Sequence, residues 1–485
     1  MMTPLNKPPA WVADAVFYQI FPDRFSSSKA WPKPANLEAW EAPPTFHGYK
    51  GGDLVGVIEQ LDWLEHLGIN AIYFNPIFAS GSNHRYHAWD FYRIDPLLGD
   101  DEVFDRLIDE CHERGIKVVL DGVFNHTGRG FFQFHDILES GAGSPWTDWY
   151  SIYDFPVVAY DTEDPPNYHA WWGLPALPKL NTDNPDVREY LMLVAEHWAR
   201  RGIDGWRLDV PQEITTPGFW EEFRTRVRSI NPDLYIVGEI WDDASDWISR
   251  GDRFDATMNY LFAGHTLAFT AGSRVPDKLA ADLNYPLQPP LDAHGYGAMI
   301  DHLLGMYPWH ATLANLNLLD SHDVPRAISL CGDDVPAVVL AVVLQMTFPG
   351  APSVYYGTEV GLPGGKDPDN RRGFPWDDEA SWNRTILDAH RSLISLRHAH
   401  PALRLGEYTV LPSDPGSMLH LALREYDGER IIVAVNSGTN AVSSMTQMEI
   451  GTEFTTLWGD GGIAGDGSHL RVALAPRSAA IWLES

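Results

Sequence analysis

Short apolar runs alternate with amphipathic stretches along most of this chain. Ala15 to Ile20 reads as a strand, and Leu54, Val57, Ile58, Leu61 and Leu64 then recur at helical spacing. Ala71 to Phe74 is again strand-like, and Phe104, Leu107, Ile108 and Cys111 mark one face of the next helix. The alternation continues through Lys117 to Leu120 (strand), Val187 to Trp198 (helix), Gly205 to Leu208 (strand), Phe219 to Ile230 (helix) and Leu234 to Val237 (strand). Leu316 to Leu319, an apolar helix from Val335 and the run Ser353 to Tyr356 extend it. Asn184 is placed to cap the helix that follows, Pro185 suits its first turn and Gly202 closes its end. This pattern predicts a parallel sheet with helices outside, which a closed barrel and a doubly wound open sheet both satisfy.

Two stretches depart from it. Between Val123 and Pro185 lie about sixty residues rich in aromatics, Pro and Gly, too many for a structureless loop in a compact domain. Residues 127–179 are therefore expected to form a small inserted domain. After Pro401 the period becomes two: Leu419, Leu421 and Leu423 alternate, Asp427-Gly428 signals a hairpin turn, and Ile431, Val433 and Val435 alternate again. Residues 403–485 are expected to form an antiparallel β-sandwich, leaving 1–126 and 180–402 for the α/β unit.

The net charge of −31, from 35 Lys+Arg against 66 Asp+Glu, argues against a nucleic-acid partner. Cys111 and Cys331 are expected as buried free thiols; a disulfide between them stays open, and no thiolate metal site is indicated. The longest apolar stretch, Val335 to Phe348, is too short to span a bilayer, and Met1 to Ala15 lacks a leader pattern. No membrane partner and a cytoplasmic location are expected; the oligomeric state is not indicated.

The polar residues gather at one end of this plan. Asp121, Asn125 and His126 follow the third strand, Arg207 and Asp209 the fourth, Glu239 ends the fifth, and Asp320, His322 and Asp323 end the seventh. In a parallel barrel those strand ends form the catalytic face. A single strand-end Asp is most often a cap or loop anchor; four strand ends carrying such groups are not. Convergent carboxylates suit glycoside hydrolysis, in which one attacks the anomeric carbon and another protonates the leaving oxygen. Arg207, two residues before Asp209, shares its strand face and is expected to keep Asp209 ionised. Trp241 is expected to give Glu239 apolar surroundings that favour its protonated form. The 19 Trp and 19 Tyr include clusters at Tyr86 to Trp89, Trp146 to Tyr150 and Trp171-Trp172, whose faces suit sugar rings, although most Trp residues are expected in the core.

Together, D-G-V-F-N-H (121–126), G-W-R-L-D (205–209), G-E-I-W (238–241) and S-H-D (321–323) resemble the ordered motifs of the α-amylase superfamily, glycoside hydrolase family 13. The resemblance runs from Ala15 to the C-terminus and implies a (β/α)₈ TIM barrel. It implies Asp209 as nucleophile, Glu239 as acid/base and Asp323 as the third carboxylate. His126 and His322 would bond the sugar at the cleavage site, and Tyr86 would stack beneath it. The runs at 15–25, 171–181 and 364–372, with Glu213, are most similar to the cyclomaltodextrinase, neopullulanase and maltogenic amylase group. Asp367 and Arg371 then resemble the pair holding the next sugar, and Tyr86, His87, Arg207, Gln212 and Glu213 complete the implied substrate contacts.

The implied activity is retaining hydrolysis of α-1,4 links in maltooligosaccharides, cyclodextrins or starch and pullulan fragments, extending to α-1,6 links and transglycosylation. A glucanotransferase or trehalose synthase on the same scaffold stays the alternative. Three differences from the group carry expectations. The sequence opens near the catalytic unit, where the group usually carries an N-terminal β domain, so linear chains are expected to be used at least as well as cyclodextrins. His87 follows Tyr86 where the group usually has Asp. Ser26-Ser27-Ser28 replaces a carboxylate-bearing calcium loop, so no cofactor is expected to be required and calcium through Asp53 is not expected; a second calcium near Asn125 stays open.

Overall fold

Eight short strands, β1 (Phe17–Ile20), β2 (Ala71–Phe74), β3 (Lys117–Gly122), β4 (Gly205–Leu208), β5 (Tyr235–Gly238), β6 (Ala256–Thr257), β7 (Leu316–Leu318) and β8 (Ala351–Tyr355), form one parallel sheet. The computed structural model describes residues 7–160, 165–281 and 283–485; the first six residues of the stretch read for a leader lie outside them. β1 pairs with β2 on one side and with β8 on the other, aligning Phe17 with both Ala71 and Ser353. A Met258–Leu316 bridge and a 2.8 Å bond from the Asn259 N–H to the Leu316 carbonyl join the end of β6 to β7. The sheet therefore closes on itself as a (β/α)₈ barrel, and the doubly wound alternative, which needs two free edges, is excluded.

Strands and helices lie where the apolar periodicity places them, with ends that move by a residue or two. The helix read at Val187 to Trp198 spans Pro185–Arg200, and the Asn184 side chain accepts from the Asp186 N–H at 2.8 Å as its cap. The periodicity misses β6: two residues carry no period, and the following helix, Tyr260–Thr270, is buried on nearly all sides. Its apolar positions fill the space between barrel and C-terminal sheet, so no polar stripe marks it.

Between β3 and the helix at Pro185, residues 127–179 hold the helix Phe132–Ser140, several short 3₁₀ turns and isolated bridges. Phe134 packs its edge against Tyr150 and Tyr168, with ring centroids 5.0 Å apart in both pairs. The bridge between His126 and Lys179 ties the start of this segment to its end, directly above β3.

The C-terminal strands β9 (Glu407–Leu411), β10 (Leu419–Tyr426), β11 (Glu429–Asn436), β12 (Val442–Ile450), β13 (Phe454–Gly459), β14 (Gly462–Gly465), β15 (Gly467–Leu474) and β16 (Ser478–Glu484) form two antiparallel sheets. Asp427 (φ 47°) and Gly428 (φ 83°) make a two-residue turn with both residues left-handed, as that dipeptide predicts. The turn pairs Leu423 with Ile432 and Ala422 with Val433. Leu419, Leu421 and Leu423 thus face the smaller sheet, whereas Ile431, Val433 and Val435 face the barrel. Both faces of β10 and β11 are buried, because this sheet is the layer between two cores. Cys111 and Cys331 are free and buried, and among the described residues no helix is long and apolar enough to cross a membrane.

Candidate active site

Parallel pairing with little stagger brings the strand ends level. Asp121 on β3 lies opposite Arg207 on β4, and Leu208 lies opposite Gly238 on β5. The Arg207 side chain is fully buried in the barrel mouth. Its Nη1 donates to Asp121 Oδ1 and Oδ2 at 2.8 and 3.1 Å and to Asp209 Oδ1 at 3.0 Å. Its Nη2 lies 2.9 Å from Glu239 Oε2 and 4.0 Å from Asp323 Oδ2. One guanidinium thus gathers four carboxylates from four strand ends, a task its planar fork suits.

Tyr86 sits at a second convergence point. Its hydroxyl lies 2.7 Å from Asp121 Oδ2, 3.1 Å from Asn75 Nδ2 and 2.7 Å from His322 Nε2. Gln19 Nε2 donates to Asn75 Oδ1 at 3.0 Å and lies 2.8 Å from His322 Nδ1. The donors and acceptors close in one way only. The Gln19 amide can only donate there, so His322 Nδ1 accepts and its Nε2 carries the proton. That N–H faces Tyr86 and, at 3.1 Å, Asp323 Oδ1. Burial, with the neighbouring Arg371 charge, holds His322 well below the usual imidazole range, so it stays neutral. The Tyr86 and His322 rings lie parallel, 5.5 Å apart.

Burial, and after it the charge of Glu239, raises Asp209 well above the usual carboxylate range, with Arg207 opposing. The same two causes push Asp323 up to about 7, although a quarter of its side chain stays exposed. This corrects the expectation for Asp209: Arg207 is shared among too many carboxylates to dominate any one. The reading of Trp241 is corrected too. Its indole N–H donates to Glu239 Oε1 at 2.9 Å, while its ring stacks on Tyr260 at 3.9 Å. The Val210 N–H reaches Glu239 Oε2 at 3.1 Å because Val210 is held left-handed at φ 36°, a strained conformation for a β-branched residue.

The remaining expected residues surround this cluster. Arg371 lies 3.1 Å from Asp367 and 3.8 Å from Asp323, and its Nε donates to the His322 carbonyl at 2.9 Å. His126 stacks on Trp171, and burial pushes it down to about 3. His87 lies edge-on to His84 at 4.8 Å, and burial lowers it to about 4. Gln212 is exposed and Glu213 half-buried on the turn after Asp209, outside the carboxylate cluster; Glu213 pairs with Lys179 at 3.1 Å. Sequence position alone does not single out Gln19, Asn75, Lys179 or Tyr73, whose hydroxyl donates to Asp121 Oδ2 at 3.0 Å. Gln19 and Asn75 had the same signal as the others, a polar residue at or just beyond a strand's C-terminal end.

In the N-terminal loop, the Asp53 carboxylate is taken up by protein partners. Asp53 caps the helix Leu54–Glu59 through the Gly56 N–H at 2.7 Å and accepts from Ser28 N and Oγ at 3.0 and 3.1 Å. Its other partner is the Lys33 ammonium, which also donates to the Gly51 carbonyl at 2.7 Å. The Asn125 amide oxygen is buried without a hydrogen-bond partner.

Residues 19–393 match the family model described as alpha amylase, catalytic domain. A cyclomaltodextrinase from a Bacillus species is 43% identical over 433 residues, which cover 89% of this chain and 74% of that enzyme. The crystal structure of a debranching enzyme from Nostoc punctiforme is 50% identical, covers 99% of both chains and superposes with a TM-score of 0.91. A cyclic α-maltosyl-(1→6)-maltose hydrolase from Arthrobacter globiformis is 37% identical, covering 98% of this chain and 100% of its own, with a TM-score of 0.87.

Proposed function

This chain belongs to the α-amylase family and is an α-glucan hydrolase of it, and from that premise we propose that Asp209 and Glu239 carry out a double displacement at α-glucosidic bonds. The observation that carries this reading is the shared guanidinium: Arg207 holds Asp209 on one terminal nitrogen and Glu239 on the other. A double displacement with retention calls for two carboxyl groups about 5 Å apart.

Asp209 and Glu239 share one proton as a coupled pair; in the first step, with that proton on Glu239 and Asp209 ionised, Glu239 gives it to the glycosidic oxygen, the C1–O bond breaks, and Asp209 forms an ester to C1. The shortened glucan leaves. In the second step Glu239, now a carboxylate, takes a proton from water; the oxygen attacks C1 and Asp209 is released. Asp323 and the His322 N–H bond the sugar's hydroxyls, and Tyr86, fixed by three polar partners, is the stacking face. Asp367 and Arg371 hold the next sugar by charge-assisted hydrogen bonds.

The substrates are maltooligosaccharides and related α-1,4 glucans, with α-1,6 links also cleaved. The activities named for the Nostoc and Arthrobacter enzymes support the second linkage. Residues 127–179 act as an inserted domain walling the cleft. Two buried, unpaired cysteines fit a cytoplasmic setting.

The test follows products from maltotriose, pullulan and β-cyclodextrin by chromatography and NMR, with and without added acceptor sugar. Fresh product in the α-anomer is expected; β-anomer first would overturn double displacement. Transfer products dominating without added acceptor would mark a glucosyl transferase instead.

A further inference from the structure

Trp172 is the most exposed large apolar side chain among the described residues, at 79% of its full accessibility. It is also left-handed, at φ 51°, and Gly173 follows at φ 67°. An aromatic residue in that conformation is strained, and this one buries little against its own fold in return. Packing does not account for where it sits.

Its surroundings are built to hold it there. The Trp171 N–H donates to the Leu177 carbonyl, Gly173 to Ala170, Leu174 to Trp171 and Leu177 to Leu174, all at 2.9 to 3.0 Å. The Tyr168 hydroxyl reaches back to the Pro175 carbonyl at 2.6 Å. These bonds make the tip between residues 170 and 177 a fixed turn. Trp172 lies face to face with Trp171, with centroids 4.4 Å apart and planes 13° apart. Trp171 lies against His126, at 5.3 Å and 15°. Three near-parallel rings therefore run from a histidine at the end of β3 outward to solvent.

The outer face of this column is broad, flat, rigid and uncharged. A pyranose ring presents a matching face of axial C–H groups, and stacking costs Trp172 little entropy because its turn and one ring face are already fixed. We propose that Trp172 is a sugar-binding platform, engaging a glucose unit of the α-glucan outside the carboxylate cluster, on the side of the cleft where Trp171 meets His126. This makes it a determinant of chain-length preference. The proposal rests on the α-glucan hydrolase reading above.

The test compares kcat/KM for maltoheptaose and maltotriose in the wild type, Trp172→Ala and Trp172→Tyr. The wild type favours maltoheptaose, and Trp172→Ala lowers the maltoheptaose-to-maltotriose ratio by about tenfold, a loss typical of one stacking contact. Trp172→Tyr keeps most of the ratio. A ratio unchanged within twofold in Trp172→Ala, or equal losses on both substrates, overturns the proposal. Binding is read separately in the turnover-deficient Glu239→Gln background by titrating each sugar calorimetrically. There Trp172→Ala removes most of maltoheptaose's advantage over maltotriose, and an advantage left intact overturns the platform. A wild type inactive on every maltooligosaccharide would fail the parent reading instead.

Discussion

Arg207 Nη2 lies 2.9 Å from Glu239 Oε2, on the opposite terminal nitrogen from the one that bonds Asp209. The arginine that sequence position assigns to one carboxylate in fact spaces two of them. This relationship sets the first expectations for mutants.

Asp209→Asn and Glu239→Gln are each expected to lose at least about 10³-fold in kcat with the fold intact, the scale on which residues acting as one unit fail. Arg207→Lys is expected to lose at least about a hundredfold, since a single ammonium cannot occupy both fork positions. Steady-state kinetics with circular dichroism checks this; activity within tenfold of wild type in either carboxylate variant removes the proposed roles.

The pH profile follows from the causes acting on Asp209. After burial, the Glu239 charge is what raises it, so removing that charge must favour the ionised form. With α-glucosyl fluoride, whose leaving group needs no proton, the acid limb of kcat/KM in Glu239→Gln is expected to move to lower pH. A limb that stays in place or rises contradicts the coupling.

Gln19 touches no reacting atom in this scheme and acts as a positioning residue through His322. Gln19→Leu is expected to cost about tenfold in kcat/KM, the range of one buried hydrogen bond, and to lower Tm modestly, because Asn75 Oδ1 and His322 Nδ1 lose their donor. Gln19→Glu should not restore activity, because a carboxylate draws the proton to His322 Nδ1. Imidazole ¹⁵N NMR should show the Nε2–H tautomer of His322 in the wild type; an Nδ1–H signal there would refute the assignment.

Lys33 supplies the positive charge beside the buried Asp53 carboxylate. Chelator or added calcium is expected to move Tm by less than about 1 °C through this loop, whereas Lys33→Met, by leaving Asp53 buried without its ammonium, should lower it by about 2–4 °C. A large chelation loss that disappears in Asp53→Ala would show a metal here after all.

The order of the elements could be read from the sequence because each has a local cause. Apolar period marks β1 and the helix at Pro185, Asn184 caps that helix, and Asp427-Gly428 can make its turn unaided. The strand-end positions of Asp121, Arg207, Asp209, Glu239 and Asp323 were equally legible, because parallel strands present their C-terminal ends on one face. Closure was legible only through the family resemblance: the apolar pattern fits an open sheet equally well, and the join that decides it is a bridge between Met258 and Leu316, far apart in sequence. Nor could sequence tell which partner Arg207 serves, that Trp241 meets Glu239 through its N–H, or that Gln19 selects a histidine tautomer. Those depend on distances of about 3 Å between groups on different strands, where charge and hydrogen-bond direction act but chain spacing has no bearing. The sequence determined which groups reach the barrel mouth; only the closed barrel decided which atom faces which.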